Sequence, residues 1–148
     1  MSTGLPVFDR TVQETNLWLN DLEDRLDAPR QQAYACLRAT LHTLRERLPP
    51  ETALHFSAQL PMLLRGVFTE GWRLTARLDV ERTAEGFVLD VGDEFAPDFP
   101  IDPRTIVRAS LQTIRAHMDL DEVDLGEVDK IVRCLSPTVT ELWLEDAV

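Results

Sequence analysis

Leu37-Arg38-Ala39-Thr40-Leu41-His42-Thr43-Leu44-Arg45 and Val107-Arg108-Ala109-Ser110-Leu111-Gln112-Thr113-Ile114-Arg115 are the two stretches that decide the fold. Set one above the other, five of the nine pairs are identical, three are conservative, and only His42 against Gln112 differs in kind. Around the first stretch Tyr34, Leu37, Leu41, Leu44 and Leu48 recur every three or four residues, and around the second Val107, Leu111, Ile114 and Met118 do the same. That spacing lays apolar side chains along one face of an α-helix. A shared helical period accounts for the leucines but not for the shared Arg, Ala and Thr. The pair therefore marks an internal duplication.

Outward from these stretches the repeat continues at a shifted offset. Gln59-Leu60-Pro61-Met62-Leu63-Leu64-Arg65-Gly66-Val67-Phe68 parallels Cys134-Leu135-Ser136-Pro137-Thr138-Val139-Thr140-Glu141-Leu142-Trp143. In both, a helix ends at a leucine, a proline starts the next, and a large aromatic follows. The change of offset falls around Asp119-Leu120-Asp121-Glu122, where a longer loop costs little. Caps and prolines then predict helices over about 9–26, 28–48, 51–60, 61–70, 103–118, 124–135 and 137–145. Asp9 is the expected cap of the first helix, with Val12, Leu19, Leu22 and Leu26 on its inner face, and Asp102-Pro103 opens the 103–118 helix.

Two readings compete at the join. Leu74, Ala76, Leu78 and Val80 alternate with polar residues, and Phe87-Val88-Leu89-Asp90-Val91 follows a turn-like Thr83-Ala84-Glu85-Gly86, a β-hairpin pattern. The duplication instead asks for a helix over 81–95 with Ala84, Phe87, Val88, Val91 and Phe95 inward, although Gly86 and Gly92 would each weaken it by up to about 1 kcal/mol. The fold expected is all-α: two tandem helical units of about four helices each, residues 1–75 and 76–148, packed into one compact bundle.

Charge is divided unequally. Residues 1–75 carry 8 Arg against 9 Asp and Glu, whereas residues 76–148 carry 7 Lys and Arg against 17 Asp and Glu, for a net −11. An acidic half repels phosphate backbones and anionic lipid, which argues against nucleic-acid and membrane partners. It leaves open a basic protein partner or plain solubility. No run approaches the roughly 20 apolar residues of a membrane span. The opening Met1-Ser2-Thr3-Gly4-Leu5-Pro6 has neither the basic nor the apolar region of a signal peptide, and Cys36 and Cys134 read as reduced core thiols. The expected compartment is the cytoplasm.

Catalytic patterns are sparse. No serine sits in a Gly-rich turn, the six glycines are scattered, and Gly92, Pro97 and Pro100 break any calcium-loop spacing among Asp90, Asp93, Glu94, Asp98 and Asp102. One constellation stands out: His42 and Glu46 lie one turn apart on one helix, and Glu51 and His55 one turn apart on the next. Antiparallel packing would let the four approach as a carboxylate–histidine metal site. The plainer alternative is an ordinary hydrogen bond for His42 beside the apolar stripe, with Glu46 and Glu51 solvated. No resident cofactor is expected.

The run from Ala33 to Pro49, followed by Ala58-Gln59-Leu60-Pro61-Met62-Leu63-Leu64-Arg65-Gly66 and Glu70-Gly71-Trp72, resembles the domain-of-unknown-function family 2267. The ending Leu135-Ser136-Pro137-Thr138-Val139-Thr140-Glu141-Leu142-Trp143 is similar to that family's second-repeat ending. The resemblance covers about Phe8 to Trp143 and implies a bacterial, helical protein of tandem units with no assigned activity. It also implies the helix rather than the hairpin at residues 81–95. Ser136 departs from the expected Leu-Pro step, and the segment from Asp93 to Asp102 looks expanded.

Function is then expected to rest on surfaces rather than on a catalytic set. Arg38 and Arg45 share a helix face near Arg47, Arg65, Gln59 and Trp72, and they recur as Arg108 and Arg115. That recurrence favours a structural role, such as a salt bridge between helices or units. Trp72 and Trp143 end the two units at similar places, either as core or, if exposed, as a partner surface. Arg38, Arg45, Gln59, Arg65, Trp72 and Trp143 are the candidate contact residues of a non-enzymatic module for protein interaction or self-association. A metal or small-ligand site at His42, Glu46, Glu51 and His55 is the alternative.

Overall fold

Side chains of α2, residues Arg30–Arg45, are buried on almost every side, so this helix organises the rest. The computed structural model describes residues 2–73 and 83–118, which fold as six helices with no strand among them. Besides α2 these are α1 (Pro6–Leu26), α3 (Pro50–Ala58), α4 (Met62–Thr69), α5 (Ala84–Gly92) and α6 (Pro103–Met118). The alternating Leu74–Val80 of the hairpin reading, the expected helices over 124–135 and 137–145, Cys134 and Trp143 lie outside the described residues.

The helix starts follow the local chemistry. Pro6, Pro50 and Pro103 occupy first turns, where the amide that proline lacks has no intrahelical partner. Asp102 caps α6, its carboxylate accepting from the Arg104 and Thr105 amides at 3.1 and 3.3 Å. Asp9 is not the cap expected of it. Pro6 starts α1 three residues earlier, and the Asp9 carboxylate accepts from the Thr3 amide (2.7 Å) and hydroxyl (2.8 Å), tying down the segment before the helix.

The helix wins over the hairpin at the join. Thr83 caps α5, its hydroxyl accepting from the Gly86 amide at 3.0 Å. Phe87 and Val91, one turn apart, are fully buried, while Leu89 between them is exposed. A strand would have put all three on one face. Gly92 ends α5 where a Cβ would come within 3.0 Å of the Pro103 ring, so glycine here permits the close approach of α6.

α2 and α6, the two helices whose sequences repeat, pack side by side. Ala33, Cys36, Leu37, Leu41 and Leu44 of α2 join Ile106, Val107, Leu111, Ile114 and Met118 of α6 in a single core. Tyr34, expected to open the α2 stripe, is exposed, and Ala33 beside it turns inward instead. α1 and α5 each contact both members of the central pair. α4 lies against α1 and α2, and α3 packs on α4. The Thr40 and Thr113 hydroxyls, buried in this pair, donate to the carbonyls one turn back, Cys36 and Ala109, each at 2.9 Å. Burial pushes the Cys36 thiol up to about 12, which makes it inert core. No helix among the described residues is long and apolar enough to cross a membrane.

Leu41 and Leu111 are each fully buried in this core. Leu41→Ala and Leu111→Ala are each expected to cost about 2–5 kcal/mol in chemical denaturation. A loss near zero at either site would mean that the α2–α6 contact does not bear on stability.

Candidate functional site

Residues 38, 42 and 45 of α2 are spaced by four and three and so share one helix face. That face meets the C-terminal end of α4, where the last carbonyls lack intrahelical donors and the helix dipole is negative. Arg45 Nη1 donates to the Phe68 and Glu70 carbonyls, each at 2.7 Å, and His42 Nε2 donates to the Val67 carbonyl at 2.6 Å. Arg38 Nη2 reaches Glu70 Oε1 at 2.7 Å. Trp72 closes the assembly, its ring centroid 6.2 Å from that of Phe68. Arg38, His42, Arg45 and Trp72 thus hold α4 onto α2.

The electrostatics follow from this placement. Burial holds the His42 imidazole below its ordinary value, with Arg45 and Arg38 adding to the effect and the Val67 carbonyl opposing it. The hydrogen bond from Arg38 keeps the Glu70 carboxyl below the usual carboxylate range. Desolvation lowers the Arg45 guanidinium.

The four-residue metal constellation does not assemble. His42 Nε2 faces the Val67 carbonyl, Glu46 approaches Arg45 Nε at 3.8 Å, and Glu51 and His55 face each other at 4.0 Å on the exposed side of α3. Among the described residues no three His, Cys, Asp or Glu side chains converge on a point that could hold a metal ion. The two helix pairs fail to converge because the inward face of α2 near His42 is covered by α4 rather than by α3.

Two further clusters cross between the halves of the chain. Arg47, its side chain only 3% exposed, donates to Asp90 Oδ2 at 2.8 Å, and its guanidinium carbon lies 4.9 Å from the centre of the Phe87 ring. His117, on α6, donates from Nε2 to Asp21 Oδ2 at 3.1 Å and stacks on Trp18 with ring centroids 5.3 Å apart. His117 lies 70 residues after Arg47, and Phe87 and Asp90 lie 69 residues after Trp18 and Asp21. In each cluster a cationic or protonatable group at the end of a repeated helix meets an aromatic and, three residues on, an aspartate.

Gln59 and Arg65, unlike Arg38, Arg45 and Trp72, line an open groove of ≈ 500 Å³. Its walls are α1 and the junction of α3 with α4, and His117 stands at one edge over Trp18. Val7, Leu17 and Met62 are 51%, 59% and 45% exposed along it, and Arg10 and Glu14 face it from α1. The Leu63 amide donates to the buried Thr11 hydroxyl at 3.1 Å, which fixes α4 against α1 and sets the width of the groove.

Sequence reasoning named Gln59 and Arg65 but missed Arg10, Trp18, Asp21 and His117. The signal lay two residues beyond the quoted repeat, where Arg47 aligns with His117, and in the spacing that Trp18 and Asp21 share with Phe87 and Asp90.

The family model described as an uncharacterized conserved protein (DUF2267) matches residues 15–142, and the chain belongs to that family. No curated protein matches it.

A lowered folded-state pKa means that the unfolded chain takes up the His42 proton first. Stability contributed by the neutral imidazole is present above about pH 6.5 and is lost as the pH falls from there towards the folded value. His42→Gln keeps an N–H for Val67 but cannot be protonated. Denaturation midpoints measured across this range are expected to fall less steeply in the variant, and identical slopes would rule out the buried neutral imidazole. At the other cluster, a double-mutant cycle of Arg47→Ala and Asp90→Ala is expected to show a coupling of about 0.5–3 kcal/mol by chemical denaturation. Additive losses would mean that the bridge contributes nothing.

Proposed function

Within that family we propose that this chain is a non-enzymatic helical module that binds another protein, or a second copy of itself, through the groove between α1 and the α3–α4 junction. The observation that carries the reading is the exposure of Val7, Leu17 and Met62 along a formed groove. Apolar side chains gathered at a concave site, rather than scattered singly, are the mark of a contact surface. Arg45 is buried against the carbonyls at the end of α4, and Arg38 and Trp72, both partly exposed, lie outside the groove. Gln59 and Arg65 remain.

The reading includes two related units, residues 1–75 and 76–148, joined as one body. Its support is reciprocal: Arg47 of the first reaches Asp90 of the second, and His117 of the second reaches Asp21 of the first. Both units contribute to the groove, since His117 stands at its edge. The net charge of −11 disfavours nucleic acid as the partner. A cytoplasmic location fits the buried, unreactive Cys36 thiol.

Leu17→Asp combined with Met62→Asp tests the reading, because both side chains are exposed and their loss leaves the core intact. Native mass spectrometry of the wild type should show an oligomer, or affinity capture from the source cell a reproducible set of proteins. Either is expected to vanish in the double variant at an unchanged melting temperature. A monomer whose captured set is the same with and without the substitutions would overturn it.

A further inference from the structure

Arg65 is anchored but not neutralised. Its Nε donates to the Leu60 carbonyl at 2.8 Å, which pins the guanidinium at the rim of the groove. No carboxylate among the described residues pairs with it. Arg10, which also faces the groove, has Glu14 as its one ionic contact among the described residues, at 4.0 Å with both side chains largely in solvent. Such a contact contributes little. A pair of arginines flanking exposed Val7, Leu17 and Met62 is a local exception on a chain of net charge −11. At physiological ionic strength charges are screened over about 8 Å, so a ligand seated in the groove is governed by these neighbours rather than by the distant carboxylates.

We propose that the groove binds an acidic peptide segment of a partner protein, with a carboxylate on Arg65 and an apolar side chain seated between Leu17 and Met62. The inference rests on the reading of the chain as an interaction module and names the partner's chemistry. A guanidinium presents a planar fork of donors that matches a carboxylate, and charge-assisted hydrogen bonds of this kind are the strong ones. The Leu60 contact holds the fork before binding, which reduces the ordering that association requires. Arg10, partly balanced by Glu14, assists from the opposite wall. Leu17 and Met62, with Trp18 below them, supply the apolar contact.

The test titrates the ¹⁵N-labelled full chain with a blocked peptide copying residues 119–128, in which carboxylates are interleaved with Leu and Val. The control is the same peptide with every Asp and Glu replaced by Asn and Gln. The acidic peptide is expected to shift the amides of Leu17, Met62 and Arg65. The amide peptide should bind about tenfold more weakly. Arg65→Glu should abolish the response, and Arg65→Gln, which keeps an N–H for Leu60 and guards against misfolding, should weaken it about tenfold. Equal binding of the two peptides, or an unchanged response in Arg65→Gln, overturns carboxylate recognition and leaves the interaction module standing. Shifts outside the groove, or none in any sample, overturn the groove as the docking site. Groove amides that ignore the peptide until Asp119, Asp121, Glu122 and Asp124 are changed to Asn or Gln would place the chain's own segment there and overturn a partner in trans.

Discussion

The side-by-side packing of α2 and α6 is the constraint from which the rest of the architecture follows. Two helices that share the apolar face Leu37, Leu41, Leu44 and Val107, Leu111, Ile114 bury those faces against each other, and α1 and α5 cover both. Because α4 also leans on α2, that helix has almost no solvent-facing side left. Its polar residues must then find partners inside, since a buried polar group without a hydrogen bond costs about 1–3 kcal/mol. Thr40 turns back to its own helix. Arg45 and His42 reach the carbonyls at the end of α4, and Arg47 crosses to α5. The arginine-rich end of α2 is therefore the polar complement of its own burial.

That complement also joins the halves of the chain. Arg47 on Phe87 and Asp90, and His117 on Trp18 and Asp21, each tie the end of a central helix to the outer helix of the other half. The two ties differ in chemistry. Arg47 stacks on a ring, pairs with a carboxylate and is almost wholly buried. His117 offers a smaller, protonatable group at the lip of an open groove. An occupant of the groove would thus sit beside one of these two joints.

How much of this was legible can be argued helix by helix. The α2 and α6 cores were readable because a long 3.6-residue period and a repeated sequence both reported them, and prolines and Asp102 marked starts where the chemistry is local. α5 was ambiguous. Phe87, Leu89 and Val91 alternate as a strand would, and only burial on the α2–α6 pair selects the helix that turns Leu89 outward. Tyr34 misled because its spacing fits the stripe, whereas Ala33 beside it is the residue small enough to sit where α2 is tightly covered. Of the site, Gln59 and Arg65 were visible as residue types, but their separation from Arg38 and Arg45 was not. That separation depends on which face of α4 meets α2, a tertiary fact. The metal constellation failed for the same reason: helical spacing places His42 with Glu46, and Glu51 with His55, but cannot say whether α3 or α4 covers α2.

The arginines carry the functional argument one step further. On the two-unit reading, Arg38 and Arg45 have counterparts in Arg108 and Arg115, as expected of residues that build each unit. Arg65 aligns with Thr140, and Arg10, at the offset that relates α1 to α5, aligns with Asp79. Neither groove arginine recurs. On that reading, neither groove arginine belongs to the architecture that the two units share. Arg65 fits that description physically as well: it is exposed, pinned by one backbone contact, and bridges no two helices through a carboxylate. The groove between α1 and the α3–α4 junction thus combines two arginines outside the shared repeat pattern with the exposed Val7, Leu17 and Met62.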